Sequence, residues 1–248
     1  MIPADHPRAK SLHTREKLVD GFRRNLVAAE GLIAHGRGEA FDYLLGERTS
    51  AQARAATKAA AAMLLLAKRP VLSVNGNAAA LVPKEIVELA QATGARIEVN
   101  LFYRTEEREK AIRDELWRYG AKEVLGVGGR ASARIPELSS ERRRVDPEGI
   151  FAADVVFVPL EDGDRTEALV RMGKRVVTID LNPLSRTAVA AHVTIVDNLV
   201  RAMPALVEQA WALEGKDRRA LEKILADFDN KKNLAQSLKA IRSGNKRA

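Results

Sequence analysis

The feature that most constrains this chain is a set of short, β-branched runs, each ending on a polar residue or a glycine pair. They are Val71-Leu72-Ser73-Val74-Asn75, Arg96-Ile97-Glu98-Val99-Asn100, Glu123-Val124-Leu125-Gly126-Val127 before Gly128-Gly129, and Arg175-Val176-Val177-Thr178-Ile179-Asp180. Further strands are expected at 154–158 and His192–Val196. Strands covered by helices on both faces read as near-continuous apolar segments. Helical stretches separate the runs. Pro83, a favoured first-turn residue, opens one that Gly94 closes; others run from Thr105 to about Tyr119, from Arg165, and from Asn198 to Ala212. This alternation specifies an α/β fold: a Rossmann-like parallel sheet with helices on both faces. Such sheets bind ligands beyond the carboxyl ends of their strands. A polar residue or glycine at that point in successive strands therefore points to a site for a small polar ligand.

Residues 1–69 lack strand runs and read as a helical N-terminal unit packed on the core. Thr14 is placed to cap a helix through Leu18, Phe22 and Val27. Gly36 and Gly38 bracket Arg37 in a turn before a short helix ending at Leu45-Gly46, and Ser50 caps an Ala/Leu-rich helix to Lys68. Residues 70–213 form the nucleotide- and substrate-binding domain, and 214–248 a charged C-terminal helix or tail. The segment Gly128–Asp154, with Pro136, Pro147 and Glu141-Arg142-Arg143-Arg144, reads as a long irregular loop. Loops of that length in compact domains are usually functional or disordered.

Composition narrows the function class. With no cysteine there is no disulfide framework or thiolate metal site, which fits a reducing cytoplasm. The longest apolar run, Ala59–Ala67, has nine residues, short of the roughly 20 that a membrane helix needs. Met1–Pro7 lacks the apolar core of a signal peptide. A cytoplasmic protein without a membrane partner is expected. The net charge of +8 and pI of about 9.8 suit polyanions or phosphorylated small molecules. However, residues 231–247 alone hold six Lys and Arg, so a solvated basic tail accounts for most of the excess.

No G-x-x-x-x-G-K-[ST] sequence is present. Gly126-Val127-Gly128-Gly129-Arg130-Ala131 fits the dinucleotide fingerprint in form, but it follows the third strand and no helix opens after it, so phosphate contact and a plain tight turn both remain open. In His35-Gly36-Arg37-Gly38-Glu39, Arg37 carries a donor fork suited to phosphate, against the alternative of a surface arginine in a turn. No second His stands at ligand spacing to His35, and no protein-built metal site is expected. Asp180 is placed to hold a ribose hydroxyl, Asn182, Arg186 and Thr187 to hold phosphates, and Asp197-Asn198 to cap a helix whose N-terminus suits an anion. Asn75, Asn77, Asn100, Tyr103 and Arg104, at adjacent strand ends, suggest substrate binding, although Asn is common in turns. Glu161-Asp162-Gly163-Asp164 suits an ammonium group, magnesium or a helix cap.

Taken together, several long irregular motifs resemble the archaeal-type phosphopantothenate synthetases, also called 4-phosphopantoate–β-alanine ligases. They are His6-Pro7-Arg8, Leu12–Leu18 with Thr14-Arg15-Glu16-Lys17, Gly31–Tyr43, Ser73–Asn77, Val99–Thr105 and Asp180–Thr187. The resemblance spans roughly residues 1–213 and leaves the tail aside. It implies a Rossmann-like homodimer that condenses 4-phosphopantoate with β-alanine, using ATP, to give 4′-phosphopantothenate, AMP and diphosphate for coenzyme A biosynthesis. It also implies ATP contacts from Arg15, Arg37, Asp180, Leu181, Asn182, Arg186, Thr187, Asn198 and Leu199; Arg15 comes from the resemblance alone.

The expected chemistry is attack of the phosphopantoate carboxylate on the α-phosphorus, then of the amine on the acyl-adenylate. That needs positioning and charge stabilisation rather than a protein nucleophile. Arg15, Arg37 and Arg186 are candidates to neutralise the polyphosphate, with Mg2+ on the ATP phosphates. Asn75, Asn77, Asn100, Tyr103, Arg104, Gly128 and Gly129 are candidates for phosphopantoate. His35, Glu39, Asp42 or Glu161 would take the amine proton. Two rival classes are an NAD(P) oxidoreductase, disfavoured by the misplaced fingerprint, and a nucleic-acid-binding protein, disfavoured by the 4% aromatic content.

Overall fold

The computed structural model describes Pro3, Asp5, His6 and residues 8–244 of the chain. Pro7 of the His6-Pro7-Arg8 motif, Lys246-Arg247 of the basic tail and most of Met1–Pro7 lie outside the described residues.

Three helices come first: α1 (Ala9–Arg23), α2 (Ala29–Leu45) and α3 (Ala51–Leu66). The α/β portion runs β1 (Pro70–Val74), α4 (Gly76–Leu81), α5 (Pro83–Thr93), β2 (Arg96–Val99) and α6 (Glu106–Arg118). A small hairpin of β3 (Ala133–Arg134) and β4 (Arg144–Val145) precedes β5 (Val155–Phe157), α7 (Gly163–Arg171), β6 (Arg175–Ile179), α8 (Arg186–Ala190), β7 (Val193–Ile195) and α9 (Leu199–Leu213). The chain ends with α10 (Arg218–Ala226) and α11 (Asn230–Ser243).

Five strands form one sheet in the order β2-β1-β5-β6-β7, and every neighbouring pair is parallel. Helices cover both faces, as the apolar runs require. Leu72, Val74, Phe157, Val177 and Ile179 join one hydrophobic cluster with α3, α5 and α9, whereas Val71, Val156 and Val176 join a second with Leu169 of α7 and Ile150. Alanines 59–62 of α3 are fully buried, and their small side chains let this helix lie close to the sheet and to α9. Helix α10 rests on α3 through buried Leu221, and α11 buries Leu234.

Local expectations fail at three points. Thr14 caps nothing: α1 begins at Ala9, and the Thr14 hydroxyl donates to the Lys10 carbonyl at 2.9 Å. Gly36-Arg37-Gly38 is no turn but the middle of the continuous helix α2. The run at 123–127 adds no strand to the sheet; only Leu125 bridges Glu98, because Gly126 turns the chain away with φ +74°.

Glu98 of β2 is fully buried and does part of what a strand would have done. Its carboxylate accepts the backbone N–H of Asp146 at 2.9 Å and of Ile150 at 2.6 Å, tying the 128–154 segment to the sheet edge. Gly149 makes room for it, since a Cβ there would lie 2.0 Å from Oε2. Burial pushes the Glu98 pKa up to about 7, against the two backbone donors that favour the anion. A carboxyl whose pKa is raised on folding binds more protons in the native state than in the unfolded one, so stability falls as pH rises. Denaturant melts should show stability declining from pH 4.5 to about 7, and Glu98→Gln should flatten that slope.

Candidate functional site

Between β1 and β5 the chain's direction of travel across the sheet reverses: β2 lies on one side of β1 and β5, β6 and β7 on the other. Crevices at such switch points, beyond the carboxyl ends of the strands, are where open α/β sheets bind ligands. Here the crevice is a cavity of about 950 Å³. Helix α2 forms one wall, the strand-end residues 75–77, 160–163 and 180–187 the floor, and α9 and α11 close the side.

Asn75, the first residue past β1, spans the crevice. Its Oδ1 accepts the Ala78 N–H at 3.0 Å, capping α4, and its Nδ2 donates to the Pro159 carbonyl beyond β5 at 2.8 Å. Asn77 donates to Gly31 O of α2 at 2.9 Å. Gly31 is required there, because a Cβ would come within 2.4 Å of Asn77 Oδ1. Thus both asparagines line the cavity while their amides set its walls.

The loop after β6 is organised by Asp180, which accepts the Asn182 N–H at 2.9 Å and the Ser185 hydroxyl. Burial raises its pKa. Leu181, Asn182, Arg186 and Thr187 line the same wall; Arg186 is exposed and paired with Glu167 at 2.7 Å, and Thr187 is buried and donates to Glu161 O at 2.9 Å. Asn198 caps α9 with Leu199 beside it, both in the lining. Asn198 also donates to Asp42 of α2 at 3.1 Å. Gly38 permits this approach, since a Cβ would stand 3.3 Å from Asn198 Nδ2. His35 and Arg37 lie on the cavity side of α2. Burial lowers the His35 pKa, favouring neutral imidazole.

Tyr103 also lines the cavity, whereas Asn100, Arg104, Gly128, Gly129 and Arg15 do not. Asn100 is buried and donates to Arg142 O at 3.1 Å and Arg144 O at 3.0 Å. Arg104 pairs with Glu109 at 2.6 Å, its side chain 2% exposed, and also donates to Gly126 O. Gly128 gives its N–H to Glu109 at 2.7 Å, and Gly129 sits in the same 3₁₀ turn. Asn100, Arg104 and the Gly128 N–H fasten the 126–144 segment. Arg15 grips Glu39, and with Arg8, Ser11 and Tyr43 on the same carboxylate the Glu39 pKa is held down to about 2. Glu39 and Asp42 do not line the cavity, whereas Glu161 does but is shared by two arginines, Arg142 and Arg165.

Two lining residues carry chemistry that sequence reading passed over: Arg108 of α6 and Arg142. Arg108 follows the Thr105 cap by three residues, a position that reads as an ordinary helix surface, and Arg142 sits in a charged loop.

Fold and site together define a Rossmann-like α/β protein with a polar-lined cavity at the switch point of its sheet. The chain belongs to the phosphopantothenate/pantothenate synthetase family, whose profile matches residues 52–244. It is 58% identical over 242 residues to the 4-phosphopantoate–β-alanine ligase of Thermococcus kodakarensis, 97% of this chain and 92% of that protein. The ligase of the same name from Methanosarcina mazei is 52% identical over 240 residues, 97% of this chain and 94% of that protein. The likeness extends past residue 213 into α10 and α11, beyond the span that the motifs suggested.

Asp42 joins α2 to α9: besides Asn198 it takes Arg201 at 2.6 Å, and Arg201 in turn holds Asp197 at 2.7 Å. These side chains are at most 19% exposed. Asp42→Ala is expected to cost about 1–3 kcal/mol of unfolding free energy in a denaturant melt, by leaving Arg201 and Asn198 short of an acceptor.

Proposed function

We propose that the protein is an ATP-dependent ligase that joins 4-phosphopantoate to β-alanine in coenzyme A biosynthesis, releasing AMP and diphosphate. The observation that supports the reading is one cavity lined by the nucleotide candidates other than Arg15 and by three of the substrate candidates. Arg37, 180–182, 186–187 and 198–199 line one end, and Asn75, Asn77 and Tyr103 the other. At about 950 Å³ it has the size of a site for more than one small ligand.

ATP lies along the β6–α8–α9 wall. Asp180 takes the ribose, and the N-terminus of α9, fifteen residues long, contributes dipole and free N–H groups toward anionic groups. Arg37 and Arg186 neutralise the charge that builds on the polyphosphate as the acid's carboxylate attacks the α-phosphorus; Arg15 joins them by leaving Glu39 for the nucleotide. Among the described residues no three His, Asp or Glu side chains gather at metal-ligand spacing. Magnesium would arrive on the ATP phosphates, a small hard cation that needs few protein ligands.

In the second half-reaction the amine of β-alanine attacks the acyl carbon and AMP leaves. His35 is the base that fits. It lines the cavity and its lowered pKa keeps it neutral, whereas Glu39 at about 2 is far too weak a base. A homodimer accords with Ile33 of α2 at 80% exposure and Tyr43 at 64%. No helix among the described residues is long and apolar enough to cross a membrane. We place the reaction in the cytoplasm, with small molecules and no nucleic acid as partners.

The test is AMP release from ATP and Mg2+ with 4-phosphopantoate and β-alanine, together and singly. AMP formed only with both, one per amide, supports the reading; no ATP turnover under any combination overturns it. Arg37→Ala should lose about 2 kcal/mol or more of transition-state stabilisation in kcat/KM, and an unchanged kcat/KM would remove Arg37 from the chemistry.

A further inference from the structure

Helix α11 carries more charge than its packing uses. Residues 230–243 include Lys231, Lys232, Lys239 and Arg242 and no acid. All four cations are exposed, and among the described residues none of them forms an ion pair; the nearest pairs along the chain, Arg218 with Glu222 and Lys223 with Asp227, belong to α10. The inner side of α11 is fixed by its contacts. Asn230 accepts the Thr194 N–H and Asn233 donates to the Thr194 carbonyl, each at 2.9 Å, so both asparagines face β7. Leu238 and Ile241 line the cavity. At about 100° per residue, the four cations fall in an arc of about 100° that starts about 20° from Leu238 and stops about 100° short of Asn233. The basic stripe therefore runs along the rim of the cavity, not along the edge of the sheet. With a rise of about 1.5 Å per residue, every member lies within about 11 Å of Leu238 along the helix axis.

Two of the four sit where a cation weakens a helix. Lys231 and Lys232 occupy the first turn, behind the Asp229 cap, where unpaired backbone N–H groups give the helix end a partial positive charge. Acids are favoured there, and neither lysine gains a partner in return. A residue that breaks a local preference without a packing return is expected where function requires it. The carboxylates that could cancel the field are engaged elsewhere: Asp42 holds Arg201, Glu167 holds Arg186, and Glu39 holds Arg15 and Arg8.

We infer that the basic stripe of α11 is an electrostatic guide, whose field draws the anionic substrates, ATP above all, to the mouth of the cavity. The inference rests on the ligase reading above. Charges of one sign beside a cleft raise the local concentration of an oppositely charged ligand and its rate of association, and salt removes the effect. Leu238 and Ile241 line the cavity whereas the four cations do not. The stripe therefore acts on the approaching ligand and not on the bound one. It gives a use to part of the net charge of +8 that the solvated-tail reading leaves without one.

The test is stopped-flow association of a methylanthraniloyl-labelled ATP, with Mg2+ and the full chain. The variant combines Lys231→Gln, Lys232→Gln, Lys239→Gln and Arg242→Gln. At an ionic strength of about 0.01 M its association rate should fall about fivefold, and at about 1 M, where charges are screened within a few ångströms, it should match the wild type within about 1.5-fold. The dissociation rate, kcat at saturating substrate and inhibition by uncharged adenosine should stay within about 1.5-fold of wild type at both salts. The unchanged kcat also reports that the variant is folded. An association rate equal to wild type at low salt, a loss that persists in high salt, or a loss carried by dissociation would each overturn the guide while leaving the ligase reading in place. So would a duplex oligonucleotide retained by the wild type and lost by the variant with no change in ATP association. A wild-type protein that binds no ATP, labelled or unlabelled, would instead overturn the ligase reading, and the guide's assignment to its substrates with it.

Discussion

The site depends on the Asn75 bridge between the ends of β1 and β5. Where a parallel sheet changes its direction of growth, the loops leaving two adjacent strands part and a crevice opens. A crevice left to itself would expose backbone groups of both loops. Asn75 satisfies an N–H on one side and a carbonyl on the other, fixing the width of the opening with one side chain. Asn77 carries the constraint to α2 through Gly31, and Asp42 with Asn198 carries it from α2 to α9. Each of these contacts joins two elements that contribute to the wall.

A second principle is the use of buried charge. Arg104 with Glu109, and Glu98 with the backbone N–H groups of Asp146 and Ile150, hold an irregular segment that has little regular structure of its own. Removing one member of such a pair strands the other in a medium of low polarity, typically at a cost of about 3–5 kcal/mol.

What was legible in the amino-acid sequence was local. Ser50 and Asn198 read as helix caps, and each side chain accepts a backbone N–H in its helix's first turn. Pro83 and Gly94 bound α5 as their backbone preferences require. The strand ends after β1 and β6 were recognisable because parallel strands are apolar throughout and stop at a polar residue. What failed depended on distant partners. Gly36 and Gly38 look like helix breakers, but α2 continues through them because Gly38 meets Asn198, 160 residues away in the chain. The 123–127 run has strand composition, yet Gly126 and the buried Glu98 limit it to one bridge. Asn100 and Arg104 have the right chemistry for a ligand but spend it on carbonyls of 126–144. Arg108 and Arg142 became visible only once their surroundings were known, since nothing in the neighbouring residues tells an arginine that lines a cavity from a solvated one.

The central claim is that the acid's carboxylate and the α-phosphorus of ATP meet in this one cavity. The most direct measurement is an isotope transfer: 4-phosphopantoate labelled with oxygen-18 in its carboxylate, turned over with ATP, Mg2+ and β-alanine, and the products analysed by mass spectrometry. An adenylating route places one labelled oxygen in the AMP phosphate for each amide formed. Label in inorganic phosphate with ADP, or label retained wholly in the amide product and unreacted acid, would contradict it.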